Sequence, residues 1–181
     1  MRTKLGKTLK QVAVGGLLAA VATSGYAANQ GSTGFTSTGD LAISLTVNNE
    51  VRINQLADIT LPDFSGSDVS DTSVACVYRN GLSGDYSITA TGSGTGNAFT
   101  LTDTTDTVAY DVEFDDRSGS GFSGLASGVA SNRTNAESAD NSCAGVGGSN
   151  ADIRVTVTAA NAASLPASTY TGTLTLVVAP I

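Results

Sequence analysis

The sequence predicts an all-β protein, a sandwich of two antiparallel sheets. Three observations carry this. Val, Ile, Leu and Thr alternate with polar residues over short stretches, as half-buried strands require. Clusters of Gly, Ser, Asn and Asp interrupt those stretches roughly every ten residues. No window places apolar residues at helical spacing between caps. About eight or nine short strands are expected, and burying one face of each calls for two packed sheets. No internal repeat of fixed period is visible.

The first 27 residues read as a secretory signal rather than as part of the fold. Arg2, Lys4, Lys7 and Lys10 make a basic start; residues 12–21 are apolar and small, with Gly15 and Gly16 among them. Gly25 and Ala27 then supply small residues at the two positions a signal peptidase reads. The apolar run is about ten residues, half of the roughly 20 that a membrane span needs. An uncleaved anchor is the rival reading. No later segment is long and apolar enough to cross a bilayer, so no membrane insertion of the mature chain is expected.

Cleavage after Ala27 leaves 154 of the 181 residues, enough for one domain with a core of its own. It removes four of the nine basic residues and none of the sixteen acidic ones, leaving a net charge of −11. The five remaining cations are all Arg: Arg52, Arg79, Arg117, Arg133 and Arg154. Nucleic acid is not an expected partner, since its recognition rests on cations that neutralise phosphates. An anionic membrane surface is not an expected partner on the same ground.

Cys76 and Cys143 are the two cysteines. In an exported chain the expectation is a disulfide; free thiols or a metal site are the alternatives. A zinc site lacks both His and a third Cys and would have to use carboxylates. No cofactor is expected.

Residues 28–39 are polar and rich in Gly, Ser and Thr, with a lone Phe35, and read as a flexible leader. Residues 40–48 hold the cleanest alternation in the chain. Leu41, Ile43, Leu45 and Val47 share one face; Ala42, Ser44 and Thr46 share the other. The domain proper is expected over 49–181. Val51 and Ile53 start its first strand, followed by an irregular apolar run through Leu56, Ile59, Leu61 and Phe64. Val74, Cys76 and Tyr78 lie on one strand face, and Asn80-Gly81 and Ser83-Gly84 mark a turn. Tyr86, Ile88 and Ala90 form the next strand face, and Phe99 and Leu101 a short one. Val108, Tyr110, Val112 and Phe114 point one way, with Asp111 and Glu113 toward solvent. Residues 115–150 lose the pattern, and short strands hidden over Phe122 to Val129 are expected there. Ile153, Val155 and Val157 alternate again, and after Pro166 the last strand carries Tyr170, Leu174, Leu176 and Val178.

Catalytic chemistry has little to work with. The mature chain holds no His, Lys or Trp, which removes Ser-His, Cys-His and Ser-Lys pairs. Gly92-Ser93-Gly94-Thr95-Gly96 lacks the Lys and the following helix of a phosphate-binding loop. Glu113, Asp115 and Asp116 cluster at a strand end, and Asp103 and Asp106 flank a turn. Paired carboxylates can hydrolyse glycosides or hold calcium, but solvated acidic turns account for them better. Asn132-Arg133-Thr134 matches a glycosylation sequon, a triplet common by chance. The chain is not expected to be an enzyme.

The order of signal segment, polar leader, alternating strand at 41–47 and disulfide-bearing β domain, ending in Tyr170-x-Gly172-x-Leu174-x-Leu176, resembles the pilin-type subunits of chaperone–usher fimbriae. It is most similar to their archaic branch with the spore coat protein U-like domains. That family often has a cysteine in the first strand of the domain proper, where this chain has Val51 and Ile53. The resemblance implies an immunoglobulin-like sandwich lacking its last strand, completed by a strand donated from a neighbouring subunit. Leu41, Ile43, Leu45 and Val47 would then be the donor residues, and Tyr170, Leu174, Leu176 and Val178 the edge of the acceptor groove. The implied partners are other copies or related subunits, a periplasmic chaperone and an outer-membrane usher. The implied setting is the periplasm in transit, then a surface fimbria serving adhesion or biofilm formation. Three alternatives stand beside it: residues 41–47 as the first strand of a self-contained sandwich, a monomeric secreted module binding glycan or calcium, and a small hydrolase using the acidic cluster.

Overall fold

The computed structural model describes residues 28–181; the signal segment expected over 1–27 lies outside the described residues. The chain divides between Thr46 and Val47 into two units. In the first, residues 28–46 are exposed throughout. Asn29 and Asp40 pair in an antiparallel bridge, each amide donating to the other's carbonyl at 2.8 and 3.0 Å, which joins the ends of the leader into a loop. Gly31 suits that close approach, since a Cβ at that position would lie 3.0 Å from the Thr38 carbonyl oxygen, a tight contact.

The second unit, Val47–Ile181, is an all-β sandwich. Its ten strands are β1 (Val51–Asn54), β2 (Val69–Arg79), β3 (Tyr86–Gly92), β4 (Thr100–Thr102), β5 (Thr107–Ala109), β6 (Asp111–Asp115), β7 (Ser123–Leu125), β8 (Ser131–Arg133), β9 (Ala151–Val157) and β10 (Leu174–Pro180). One sheet runs β1-β2-β9-β6-β7, a second β10-β3-β8, and β4-β5 form a small ribbon. All pairings between these strands are antiparallel.

The core forms where the inward faces meet. β9 shows the expected period of two, with Ala151, Ile153, Val155 and Val157 buried and the residues between them partly exposed. Val112 and Phe114 of β6, Tyr86, Ile88 and Ala90 of β3, and Ala75 and Val77 of β2 join them in one cluster. In β2 the face shared by Val74, Cys76 and Tyr78 is the outer one, and Val74 is 43 % exposed. Cys76 is buried on that outer face because the expected disulfide with Cys143 forms there, with Cα atoms 5.8 Å apart. It fastens the chain before β9 onto β2.

Three features of the middle of the chain differ from the sequence expectation or refine it. Val108, Tyr110, Val112 and Phe114 are all buried, but they do not belong to one strand. The chain changes partners at Tyr110: β5 pairs with β4, and β6 pairs with β9 and β7. Glu113 does not stand free in solvent; it faces Arg154 across the β6–β9 ladder, 2.7 Å from its guanidinium. The 115–150 stretch hides β7 within the expected span and β8 just beyond it, and is pinned by Asp116. A one-turn helix, α1 (Ala159–Ala162), follows β9, with the Thr158 side chain accepting from the Asn161 amide and Asp68 accepting from Ala159 at 2.7 Å. One turn is too short to leave an apolar period in the sequence.

Candidate functional site: an apolar groove between two unpaired edges

β1 ends because Gln55 takes a left-handed backbone conformation, φ 63°. A side-chain-bearing residue seldom adopts it, and here it turns the chain away from the β2 ladder. The segment that follows, 56–64, runs beside β2 without joining it. Its ties to β2 go through side chains: the Ala57 amide donates to Ser73 Oγ at 2.9 Å and the Thr60 amide to Asp71 Oδ2 at 3.4 Å. Among the described residues, no backbone–backbone hydrogen bond involves residues 56–64.

The facing wall is built by the end of the chain. Thr171 and Thr102 exchange two backbone hydrogen bonds of 2.9 Å, and the Thr173 amide donates to Ser93 Oγ at 2.9 Å. These contacts draw residues 170–173 onto the β4–β5 ribbon. Gly172 is dictated by that approach, since a Cβ there would lie 2.9 Å from the Thr100 carbonyl oxygen. β10 then pairs with β3 from Leu174↔Gly92 to Pro180↔Tyr86 and is the outermost strand of its sheet. Its other edge has no strand partner.

Between 56–64 and residues 165–176 lies a cavity of about 1200 Å³. Leu56, Ile59, Leu61 and Phe64 line one side; Leu165, Tyr170, Leu174 and Leu176 line the other. Leu101, Val108, Tyr110, Ile153, Val155 and Val157 form its floor. The irregular apolar run in the sequence is thereby accounted for: its side chains wall a groove rather than fill a strand position. The four residues expected at the groove edge divide. Leu174 and Leu176 belong to β10 and line the groove, while Tyr170 lines it from the segment before β10, its hydroxyl donating to the Pro166 carbonyl at 3.0 Å. Val178 is on β10 and packs against the core.

Leu41, Ile43, Leu45 and Val47 stand in solvent at 70, 88, 87 and 75 % exposure, and residues 41–47 belong to no strand. Two leucines, an isoleucine and a valine in one alternating row is a concentration of exposed apolar surface that normally marks a contact surface.

The carboxylates of the sequence cluster are engaged. Glu113 pairs with Arg154, whose guanidinium also lies 4.1 Å over the Phe122 ring; that hydrogen bond holds Glu113 below its ordinary pKa. Asp115 Oδ1 accepts from the Arg117 amide at 2.7 Å, and the Arg117 side chain grips Asp152 with two bonds of 2.7 and 2.8 Å. Asp116 is 6 % exposed and accepts from the Ser118 hydroxyl and amide and from the Thr134 amide. Burial alone raises its pKa, but these bonds, with the Arg133 charge, hold it below the usual carboxylate range. Asp103 accepts from the Thr105 and Asp106 amides at 3.0 and 2.8 Å, closing the β4–β5 turn. Among the described residues, no three His, Cys, Asp or Glu side chains group so as to hold a metal ion. No helix among them is long and apolar enough to cross a membrane.

No family model matches the chain, and no curated protein matches it. Among solved structures, the chain is similar to one described in the words "Chaperone-tip adhesin complex is vital for synergistic activation of CFA/I fimbriae biogenesis", at a TM-score of 0.49 and 14 % identity. The match covers 74 % of this chain and 42 % of that one, so the chain spans less than half of its length.

Proposed function

We propose that the chain is a structural, non-enzymatic subunit of a chaperone–usher-type surface fimbria, and that its groove receives residues 41–47 of another copy as the missing strand. The supporting observation is the groove itself, an apolar cleft of about 1200 Å³ flanked by two backbone edges without ladder partners. Such a cleft leaves unpaired amides and carbonyls beside uncovered apolar side chains, which a single added strand satisfies together. The strand to add is present in the same sequence. Residues 41–47 match the seven residues of β10 in length, and their apolar side chains project at every second position. Seating four such side chains at about 1.5–3 kcal/mol each contributes roughly 6–12 kcal/mol of gross apolar burial, an upper bound.

In this reading the chain is exported and a periplasmic chaperone fills the groove in transit. At the outer-membrane usher the donor strand of the next subunit replaces it, and the polymer serves adhesion or biofilm formation at the cell surface. The test is electrophoresis of unboiled samples. Ladders of SDS-resistant multimers are expected from the mature chain, and none from a chain lacking residues 28–48 that still binds the chaperone. A mature chain that stays monomeric without a partner at high concentration contradicts the reading.

A further inference from the structure

The three residues that join the candidate donor segment to the domain, Asn48, Asn49 and Glu50, are held by one side chain. The Asn80 amide nitrogen Nδ2 donates to the Asn48 carbonyl at 2.6 Å, and its Oδ1 accepts from the Glu50 amide at 2.7 Å. The Asn80 backbone amide donates to the Glu50 carbonyl at 3.1 Å. Asn80 lies just past the end of β2, and the Val51↔Arg79 pair is the last of the β1–β2 ladder. A donor and an acceptor on one short side chain thus carry the pairing past the end of the regular strand, a role Asn and Asp commonly take in turns.

We infer that Asn80 is a positioning residue that ties the root of the N-terminal segment to its own domain and thereby stiffens the joint between successive copies. The inference rests on the donor-strand reading, because only there does the segment 48–50 become the connection between neighbouring domains. A three-residue connection without such ties would turn freely about its backbone bonds. With both its ends bonded to Asn80, the bending of one domain against the next is limited to distortion of those bonds. Seating in the groove depends on other residues, so the clasp affects the shape of the polymer and not its formation.

Asn80→Asp tests this at nearly constant shape. The carboxylate keeps the acceptor for the Glu50 amide but sets an oxygen against the Asn48 carbonyl. Asn80→Ala removes both side-chain bonds without adding charge. In the Asn80→Ala monomer the Glu50 amide should exchange with deuterium about two- to tenfold faster than in the parent, as loss of a hydrogen bond implies, whereas Asn80→Asp keeps that acceptor and its protection; the melting temperature should change little in either. Fibres of both variants should form as readily as the parent's, and electron micrographs should show a shorter persistence length. Variant fibres as stiff as the parent's overturn the clasp, as does failure of both variants to polymerise while the parent does. If the parent itself forms no fibres, the donor-strand reading fails, and this inference falls with it.

Discussion

At the scale of single residues, the chemistry of this chain is that of side chains standing in for backbone. Asn150 bonds the Val77 carbonyl and amide at 2.8 Å each, extending the β2 edge beyond its ladder with β9. Asp116 does the same for two loops, gathering the amides of Ser118 and Thr134 at 3.1 and 3.0 Å. Replacing the buried Asp116 with Ala removes the charged acceptor those amides share, and a hydrogen bond to a charged group contributes about 1.5–3 kcal/mol. The urea midpoint should fall accordingly, and an unchanged midpoint would show that water replaces the carboxylate. The Cys76–Cys143 bond closes a separation of 67 residues. In the chain-entropy account its loss costs about 4 kcal/mol, so the Cys76→Ala, Cys143→Ala double variant should unfold at markedly lower urea.

At the scale of elements, the parity of residues 41–47 makes a sharp prediction. The segment is exposed in the isolated chain, so a charge placed on it should leave monomer stability within about 0.5 kcal/mol. Ile43→Asp should nevertheless abolish the SDS-resistant ladder, because a buried unpaired carboxylate costs far more than the isoleucine contributes. Ser44→Asp, one position along and on the opposite face, should leave the ladder intact. Equal behaviour of the two variants would mean that the row of apolar side chains is not what is recognised. The facing element obeys a related logic. β10 is regular from Leu174 onward because β3 pairs with it throughout, whereas 56–64 lacks a ladder and follows an irregular path. An incoming strand would supply backbone partners to both.

At the scale of the whole molecule, the acidic balance and the engaged carboxylates predict the response to pH. Asp103, Glu113, Asp116 and Asp140 all sit below their ordinary pKa in the folded chain, chiefly through accepted hydrogen bonds, which for Asp116 outweigh its burial. A group depressed in this way stabilises the fold above its unfolded pKa of about 4, and that contribution is lost as the pH falls through the folded value. The melting temperature should therefore be flat from neutrality down to about pH 4 and fall below it. Acid also removes repulsion among surface carboxylates, which acts the other way. At physiological salt, with a Debye length of about 8 Å, that effect is the weaker one. A melting temperature that climbs between pH 5 and pH 3 would reverse this ranking.

The sequence by itself determined the all-β class, the faces of β3, β9 and β10, and the expectation that Cys76 and Cys143 are joined. Each follows from a period of two or from a count of residue types, and both are local properties that no distant contact alters. It also marked residues 41–47 as an amphipathic strand, but a strand that pairs at home and one that pairs elsewhere need the same alternation. Only the tertiary structure decided which face of β2 meets the core, that Tyr110 divides two strands, and that Asp116 is buried while Glu113 finds Arg154. The groove belongs with these. It exists because Gln55 turns the chain off the β2 ladder and β10 ends its sheet, so the space between them depends on which edges go unpaired. Pairing is a long-range property, and no pattern within a single strand encodes it.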